Sequence, residues 1–182
     1  MRNLVFFLEE ESMRVTIKEI LKKIGFEGWS VKLIPFEGKS DLEKQLLLKM
    51  KHWNVPDTFF IIVRDKDSGD CIAIKRKLLD ICLESGKPSY KVRIACHELE
   101  NWFLGDLAAV ERVYGGKISA HQTKSKFRTP DDVANAVQEL NALTNNRYQK
   151  LNGSREISKY LNLDNNMSSS FNVFIRTIKG LK

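Results

Sequence analysis

The chain has 182 residues, and 42% of them are hydrophobic, which suffices for one compact domain with a real core. Its formal net charge of +7 permits an anionic partner, although a basic surface that is merely solvated explains the same charge, because the basic residues are scattered. Three cysteines without a CxxC pair argue against a zinc site and a disulfide framework, so we expect a cytoplasmic protein. The apolar runs are too short to cross a bilayer, so we expect no membrane segment.

The first part of the chain alternates between strand-like and helix-like hydrophobic patterns. Four runs predict strands, namely NLVFFL, WSVKLIPF, TFFIIV and YKVRIAC. Helical spacing predicts a helix after each strand: the first capped by Ser12, the second by a capping box of Ser40 and Glu43, the third by Asp70, and the fourth formed by HELENWFLGDLAAVERVYG. Because parallel neighbours need crossover connections, this alternation predicts an α/β fold with an open, mostly parallel sheet and helices on both faces.

Residues 115–182 carry no strong strand pattern. Thr129 and Pro130 begin a predicted helix in TPDDVANAVQELNAL, and SREISKYL and SSSFNVFIRTIKGL have the spacing of two further short helices. We therefore expect one domain over residues 1–182, with an α/β core over 1–114 and a helical C-terminal extension over 115–182.

Acidic side chains follow three of the four predicted strands. Glu9 follows the first strand, Asp65 and Asp67 follow the third in VRDKDSGDC, and Glu98 and Glu100 follow the fourth in HELEN. In an open parallel sheet ligands bind at the carboxyl ends of the strands, so these acids form one pocket if the three strands lie close together. Oxygen ligands from separate loops suit a hard divalent cation such as Mg²⁺, and such a site can activate a water in phosphodiester chemistry.

Each of these acids also has a purely structural interpretation. Asp70 is explained as a helix cap, and Glu98 and Glu100 suit the positive end of a helix. His97 has no second histidine at a spacing that would help it bind a metal. The structural interpretation leaves unexplained why acids follow three separate strands.

Several motifs taken together resemble a known family. A glutamate after the first strand, followed by DKD after a later one, resembles the Toprim domain, the metal-binding fold of topoisomerases, primases and OLD-type nucleases. RDKDSGDC, ELENWFLGD, YQKLNG and SSSFNVF look like motifs of the bacterial Toprim-like family called domain of unknown function 4276, and the resemblance covers nearly the whole chain. It implies a Toprim-like sheet with an α-helical C-terminal part.

The resemblance also implies site residues. Glu9 would be the Toprim glutamate, a general base or metal ligand, Asp65 and Asp67 would hold the cation, and Lys150 would steady the charge of a phosphoryl transition state. The implied cofactor is Mg²⁺ or Mn²⁺. The candidate metal ligands are Glu9, Asp65, Asp67, Asp70, Glu98 and Glu100.

The family motifs are matched unevenly. Residues 148–150 match a YxK element and residues 170–171 match an SF element. The family usually has EGxSD at the first motif, and this chain has Glu10 in place of the glycine and Met13 in place of the final acid. Glu10 or Glu11 could compensate for the lost acid, or the site could be weakened.

Three hypotheses about function follow. The first is a Mg²⁺-dependent Toprim-like phosphodiesterase, a nuclease that acts on nucleic acid, DNA rather than RNA. The resemblance implies an effector in bacterial phage defence that works beside a separate AAA- or ABC-type ATPase. The ATPase would be another chain, since this chain has no GxxxxGK[ST] motif. The second is a non-catalytic Toprim-like module that binds nucleic acid or a protein. The third is a receiver-like phosphoacceptor domain, which needs a lysine after a fifth strand. Homo-oligomerisation stays open.

Overall fold

Four parallel strands form the centre of the computed structural model, which describes residues 2–182. They are β1 (Arg2–Leu8), β2 (Trp29–Pro35), β3 (Thr58–Asp65) and β4 (Tyr90–Ala95), arranged in the order β2-β1-β3-β4. β1 has a neighbour on each side and is buried from Leu4 to Leu8, which explains why NLVFFL is apolar without alternation. The predicted parallel sheet is confirmed. Within residues 2–182 the sheet has no fifth strand, which the receiver-like hypothesis requires.

The helices that connect the strands lie on both faces of the sheet. They are α1 (Glu11–Ile24), α2 (Lys39–Lys51) and α3 (Cys71–Glu84). The chain moves outward in one direction from β1 to β2, and in the other direction through β3 to β4, so crossovers of one hand place α1 opposite α2 and α3. Accordingly, Phe6 of β1 belongs to the core under α1, and Phe7 belongs to the core under α2 and α3.

The remaining helices pack on the same face as α1. They are α4 (Glu100–Leu104), α5 (Leu107–Tyr114), α6 (Ser125–Arg128), α7 (Ala136–Leu143), α8 (Lys150–Ser158) and α9 (Ser169–Lys179), with short 3₁₀ turns at Ser119–Thr123 and Pro130–Asp132. Trp102 is the centre of this layer, with its ring 5.4 Å from that of Phe171 and 5.1 Å from that of Phe174. Along the described residues 2–182 we find no helix with the length and apolar character needed to cross a bilayer.

Two of the predicted N-caps are wrong. Ser12 lies inside α1, whose N-cap is Glu10, and the Ser12 hydroxyl donates to the Glu10 carboxylate. α2 begins directly after Gly38, so Ser40 is also inside its helix. Glu43 does not close a capping box, because its carboxylate is taken by basic side chains of β3 and α3. Glu43 thus binds charged partners from elsewhere in the fold in place of a local capping bond.

The single helix predicted over HELENWFLGDLAAVERVYG is divided into α4 and α5. The break lies at Gly105, whose carbonyl accepts a hydrogen bond from the Met167 amide at 2.9 Å. The Asp106 carboxylate then caps α5 by accepting from the amide of Ala109 at 3.2 Å. A Cβ atom at position 105 would lie 2.0 Å from Oδ1 of Asn166, so only glycine allows this approach.

The helix predicted from Pro130 is also interrupted. Pro130–Asp132 form one 3₁₀ turn, and α7 begins only at Ala136. The side-chain amide of Asn101 donates to the carbonyls of Pro130 and Val133, at 2.7 Å and 2.8 Å. These carbonyls therefore bind a distant side chain where a continuous helix would use them internally.

Gly105→Ala should lower the free energy of unfolding by about 1–3 kcal/mol, because the added methyl group must displace Asn166 and the neighbouring backbone. Urea denaturation followed by circular dichroism measures this change. Gly180→Ala is the matched control, since a Cβ there meets its nearest atom at 3.2 Å. Equal stability losses in the two variants would contradict the steric explanation.

Candidate metal centre

The sheet order creates a crevice between the carboxyl ends of β1 and β3. The chain leaves β1 toward one face of the sheet and leaves β3 toward the other, so the two loops diverge, as they do where open α/β sheets bind ligands. Glu9 and Asp65 lie at this point, and the Glu9 carboxylate accepts a hydrogen bond of 3.1 Å from the Asp65 amide. Two of the predicted site residues are therefore in direct contact.

Asp65 and Glu100 are buried carboxyl groups with incomplete hydrogen bonding. Their exposed fractions are 4% and 0%, and both Oδ1 of Asp65 and Oε2 of Glu100 are buried without a hydrogen-bond partner in the described structure. Burial, followed by the nearby carboxylates of Glu9 and Glu100, raises the pKa of Asp65 well above its ordinary value. Burial also raises the pKa of Glu100 and of Glu9. Glu9, Asp65 and Glu100 form an acidic cluster, and Nε of Arg64 lies 3.8 Å from Oε2 of Glu9.

A tyrosine from the C-terminal part orients Glu100. The Tyr148 hydroxyl donates to Oε1 of Glu100 at 2.9 Å and lies 3.3 Å from the hydroxyl of Ser154. Burial and then the Glu100 carboxylate raise the pKa of Tyr148, so the phenol stays a protonated donor. Because Tyr148 occupies Oε1, the other oxygen of Glu100 is left for a further partner.

Lys150 provides positive charge at the rim of this cluster. Its ammonium group contacts both carboxylate oxygens of Glu10, at 2.8 Å and 2.9 Å. Burial has the largest effect on the pKa values of Asp65 and Glu100 and raises them, whereas the charge of Lys150 lowers them. Lys150 is thus near enough to influence the buried acids while it is bound to Glu10.

The two departures from the family's first motif have different structural outcomes. Glu10 faces the acidic cluster through its ion pair with Lys150. Glu11 is paired with Arg14 on α1, and Met13 is fully buried in the core. Of the two residues that could compensate for the acid missing at position 13, the structure therefore places Glu10 at the site.

Asp67 is held in a rigid turn beside the crevice. Asp67 and His97 both have left-handed backbone conformations, with φ of 52° and 57°. The Asp67 amide donates to the His97 carbonyl at 2.7 Å, and Nδ1 of His97 lies 3.1 Å from the Asp67 carbonyl. Strained backbone of this kind persists where surrounding contacts enforce it, often at functional sites. The carboxylate of Asp67 binds the ammonium group of Lys39 at 2.7 Å.

Two other candidate ligands have backbone partners. Asp70 is exposed and caps α3, as predicted, by accepting from the Ala73 amide at 2.6 Å. Oε2 of Glu98 accepts from the amide of Val137 at 3.4 Å. These bonds give both acids a structural role, and their predicted metal binding stays a prediction.

The donor set suits a divalent cation, although the side chains are not yet gathered around one point. Over residues 2–182 no group of three or more His, Cys, Asp or Glu side chains is arranged to hold a metal ion. Two buried oxygens without partners, on Asp65 and Glu100, are nevertheless what a hard cation would satisfy. Cation binding would therefore require side-chain rotation, and Asp67 would have to exchange Lys39 for the cation.

Sequence reasoning named Lys150 but missed two other basic residues of the site, Arg64 and Lys39. Arg64, which directly precedes Asp65, is buried with Nε 3.8 Å from Oε2 of Glu9, and it also pairs with Glu43 of α2. Lys39 reaches Asp67 from the start of α2. Nothing in the local sequence marks Lys39, because its partner is 28 residues away.

Comparison with known proteins identifies the family. The chain matches the family described as Domain of unknown function (DUF4276) over residues 8–179. The chain belongs to the DUF4276 family. The solved C-terminal region of the Burkholderia pseudomallei OLD protein is similar to this DUF4276 chain, with a TM-score of 0.59 and 14% identity over 98% of this chain and 97% of that one. This likeness confirms the Toprim-like fold, a parallel sheet flanked by helices. No curated protein matches the chain.

Asp65→Asn should stabilise the metal-free protein at neutral pH by about 1–3 kcal/mol, because a neutral amide avoids the cost that burial imposes on the Asp65 carboxyl group. The raised pKa of Asp65 means that the folded protein retains a proton that the unfolded chain releases, so wild-type stability should fall as the pH rises above the ordinary value of 3.8. The variant should lose this part of the pH dependence.

Thermal unfolding in EDTA between pH 4 and 8 tests this expectation, with a rise of the melting temperature of about 2–4 °C per kcal/mol. Asp70→Asn is the control, since asparagine also caps helices and position 70 is exposed. A melting temperature of Asp65→Asn below that of the wild type would show that the carboxylate already has a partner.

Tyr148→Phe should destabilise the protein by about 1–3 kcal/mol, because Glu100 would lose its hydroxyl donor in a buried environment. Tyr160→Phe is the control, since Tyr160 is 49% exposed. Chemical denaturation of both variants at pH 7 measures the difference. Equal stabilities would mean that the bond to Glu100 contributes nothing.

Proposed function

We propose that this DUF4276 chain is a metal-dependent phosphodiesterase that cleaves nucleic acid, using Mg²⁺ or Mn²⁺. The observation that carries the proposal is the pair of buried carboxylate oxygens without partners, on Asp65 and Glu100, beside the carboxyl ends of β3 and β4. Together with Asp67, they supply oxygen ligands from the loops after β3 and β4, and Glu9 lies beside them after β1. A bound divalent cation would supply Lewis-acid stabilisation of the phosphoryl oxygens and activation of a water.

The chain's own residues have distinct roles in this proposal. Asp65, Asp67 and Glu100 would hold the cation, and Tyr148 fixes one oxygen of Glu100. Glu9 would accept the proton of the attacking water, and burial favours this role because it raises the pKa of Glu9 and makes it a better base. Lys150 would leave Glu10 and stabilise negative charge on the phosphate.

Charge and fold support nucleic acid as the substrate class. The net charge of +7 favours binding to a polyanion, and such binding should weaken as salt increases. The likeness to the OLD C-terminal region concerns the fold, so the nuclease activity rests on this analogy and on the acidic cluster. We extend the proposal to DNA as the preferred substrate, and to phage defence beside a separate AAA- or ABC-type ATPase.

The central test is calorimetric titration of Mg²⁺ and Mn²⁺ into the wild type and the double variant Asp65→Ala, Asp67→Ala. We expect binding to the wild type and a loss of at least about tenfold in affinity in the variant, since two charged ligands are removed. The variant that loses metal binding should also lose cleavage of plasmid and single-stranded DNA. The double variant Asp80→Ala, Asp164→Ala is the control, because it removes two exposed carboxylates elsewhere.

A second candidate is a non-catalytic Toprim-like module that binds nucleic acid or a protein. It is favoured by the ion pairs that already neutralise Asp67 and Glu10, and by Met13 in place of the usual acid. This candidate predicts no metal binding to the wild type, and biological activity that survives the Asp65→Ala change. Either metal binding at the acids or loss of that activity in the variant would argue against it.

A further inference from the structure

The ion pair between Lys39 and Asp67 is a second point at which a lysine meets the acidic cluster. Lys39 is the first residue of α2, and its ammonium group lies 2.7 Å from Oδ2 of Asp67. The side chains are 51% and 34% exposed, so the pair contributes little to stability. A role in holding the fold therefore does not explain its position.

Both partners are fixed by backbone contacts. The amide of Gly38, just before Lys39, donates to the carbonyl of Glu9 at 2.9 Å. Asp67 is held by its two bonds to His97. The backbone next to Lys39 is therefore bonded to Glu9, and the Lys39 ammonium group is bonded to Asp67. The charge of Glu9 also acts on Lys39.

We propose that Lys39 is a substrate-positioning residue that moves from Asp67 to a phosphate group of the nucleic acid when the metal binds. This inference rests on the proposed function. In the metal-free protein the Lys39 ammonium occupies one oxygen of Asp67, a position that a divalent cation would claim. If a divalent cation takes Asp67, Lys39 would be released at the rim of the acidic cluster, where a phosphate group of the substrate would be a new anionic partner for it.

The exchange predicts two effects of opposite sign in Lys39→Gln. Mg²⁺ should bind the variant more tightly, by about two- to fivefold, because no ammonium group competes for Asp67. DNA should bind the Mg²⁺-loaded variant more weakly, by about three- to tenfold, because one phosphate contact is lost. Without metal, DNA affinity should differ much less from that of the wild type, since Lys39 is then occupied by Asp67.

The experiment combines calorimetry of Mg²⁺ with fluorescence anisotropy of a labelled phosphorothioate duplex, which resists cleavage, measured with Mg²⁺ and with EDTA. Lys51→Gln is the matched control, because Lys51 ends the same helix and also forms an exposed ion pair, with Glu84 at 3.3 Å. Lys51→Gln removes one positive charge from α2 at a position away from the acids of the candidate site. Lys39→Arg should retain most of the Mg²⁺-dependent DNA affinity.

The outcomes separate this inference from the proposed function. Tighter Mg²⁺ binding together with weaker Mg²⁺-dependent DNA binding in Lys39→Gln alone supports the exchange. If the wild type binds Mg²⁺ and Lys39→Gln behaves like Lys51→Gln, the exchange is wrong and the metal site stands. If the wild type binds no Mg²⁺, both the metal site and the exchange are wrong.

Discussion

The structure of the candidate site depends on two carboxyl groups, of Asp65 and Glu100, that are buried with incomplete hydrogen bonding near the carboxyl ends of β3 and β4. Asp65 and Glu100 each keep one oxygen without a partner, and their pKa values are raised by burial. An ionised carboxyl group in this position is costly unless a positive charge joins it. The lysines reach only the rim, on Glu10 and Asp67. The metal-free fold therefore carries a destabilising feature that a cation would convert into a stabilising one.

The C-terminal helices complete this site as well as the core. Tyr148, just before α8, brings a hydroxyl to Glu100, and Lys150, the first residue of α8, brings an ammonium group to Glu10. Ser170, at the start of α9, has an anchoring role, because its hydroxyl accepts from the Trp102 indole at 2.9 Å and its amide donates to Asp131 at 2.7 Å. The YxK motif thus contributes side chains to the site, and the SF motif attaches α9 to the core.

Sequence patterns predicted the features that depend on local spacing or on burial. The apolar runs marked all four strands, and acids after the strands marked Glu9, Asp65 and Glu100, which the structure brings together. The strand order was not readable, because it depends on which edges pair. The capping roles given to Ser12 and Ser40 failed because each helix begins before its serine, after Glu10 and after Gly38. Lys39 was missed because its partner Asp67 is 28 residues away.

The departure at Glu10 has a consequence for how the site balances charge. The chain has gained an acid at position 10 and lost the usual one at position 13, where Met13 extends the core. The acid at position 10 lies at the N-cap of α1 and binds Lys150. In this chain Lys150 is bound to Glu10, and one oxygen on each of Asp65 and Glu100 is left without a hydrogen-bond partner within the described residues.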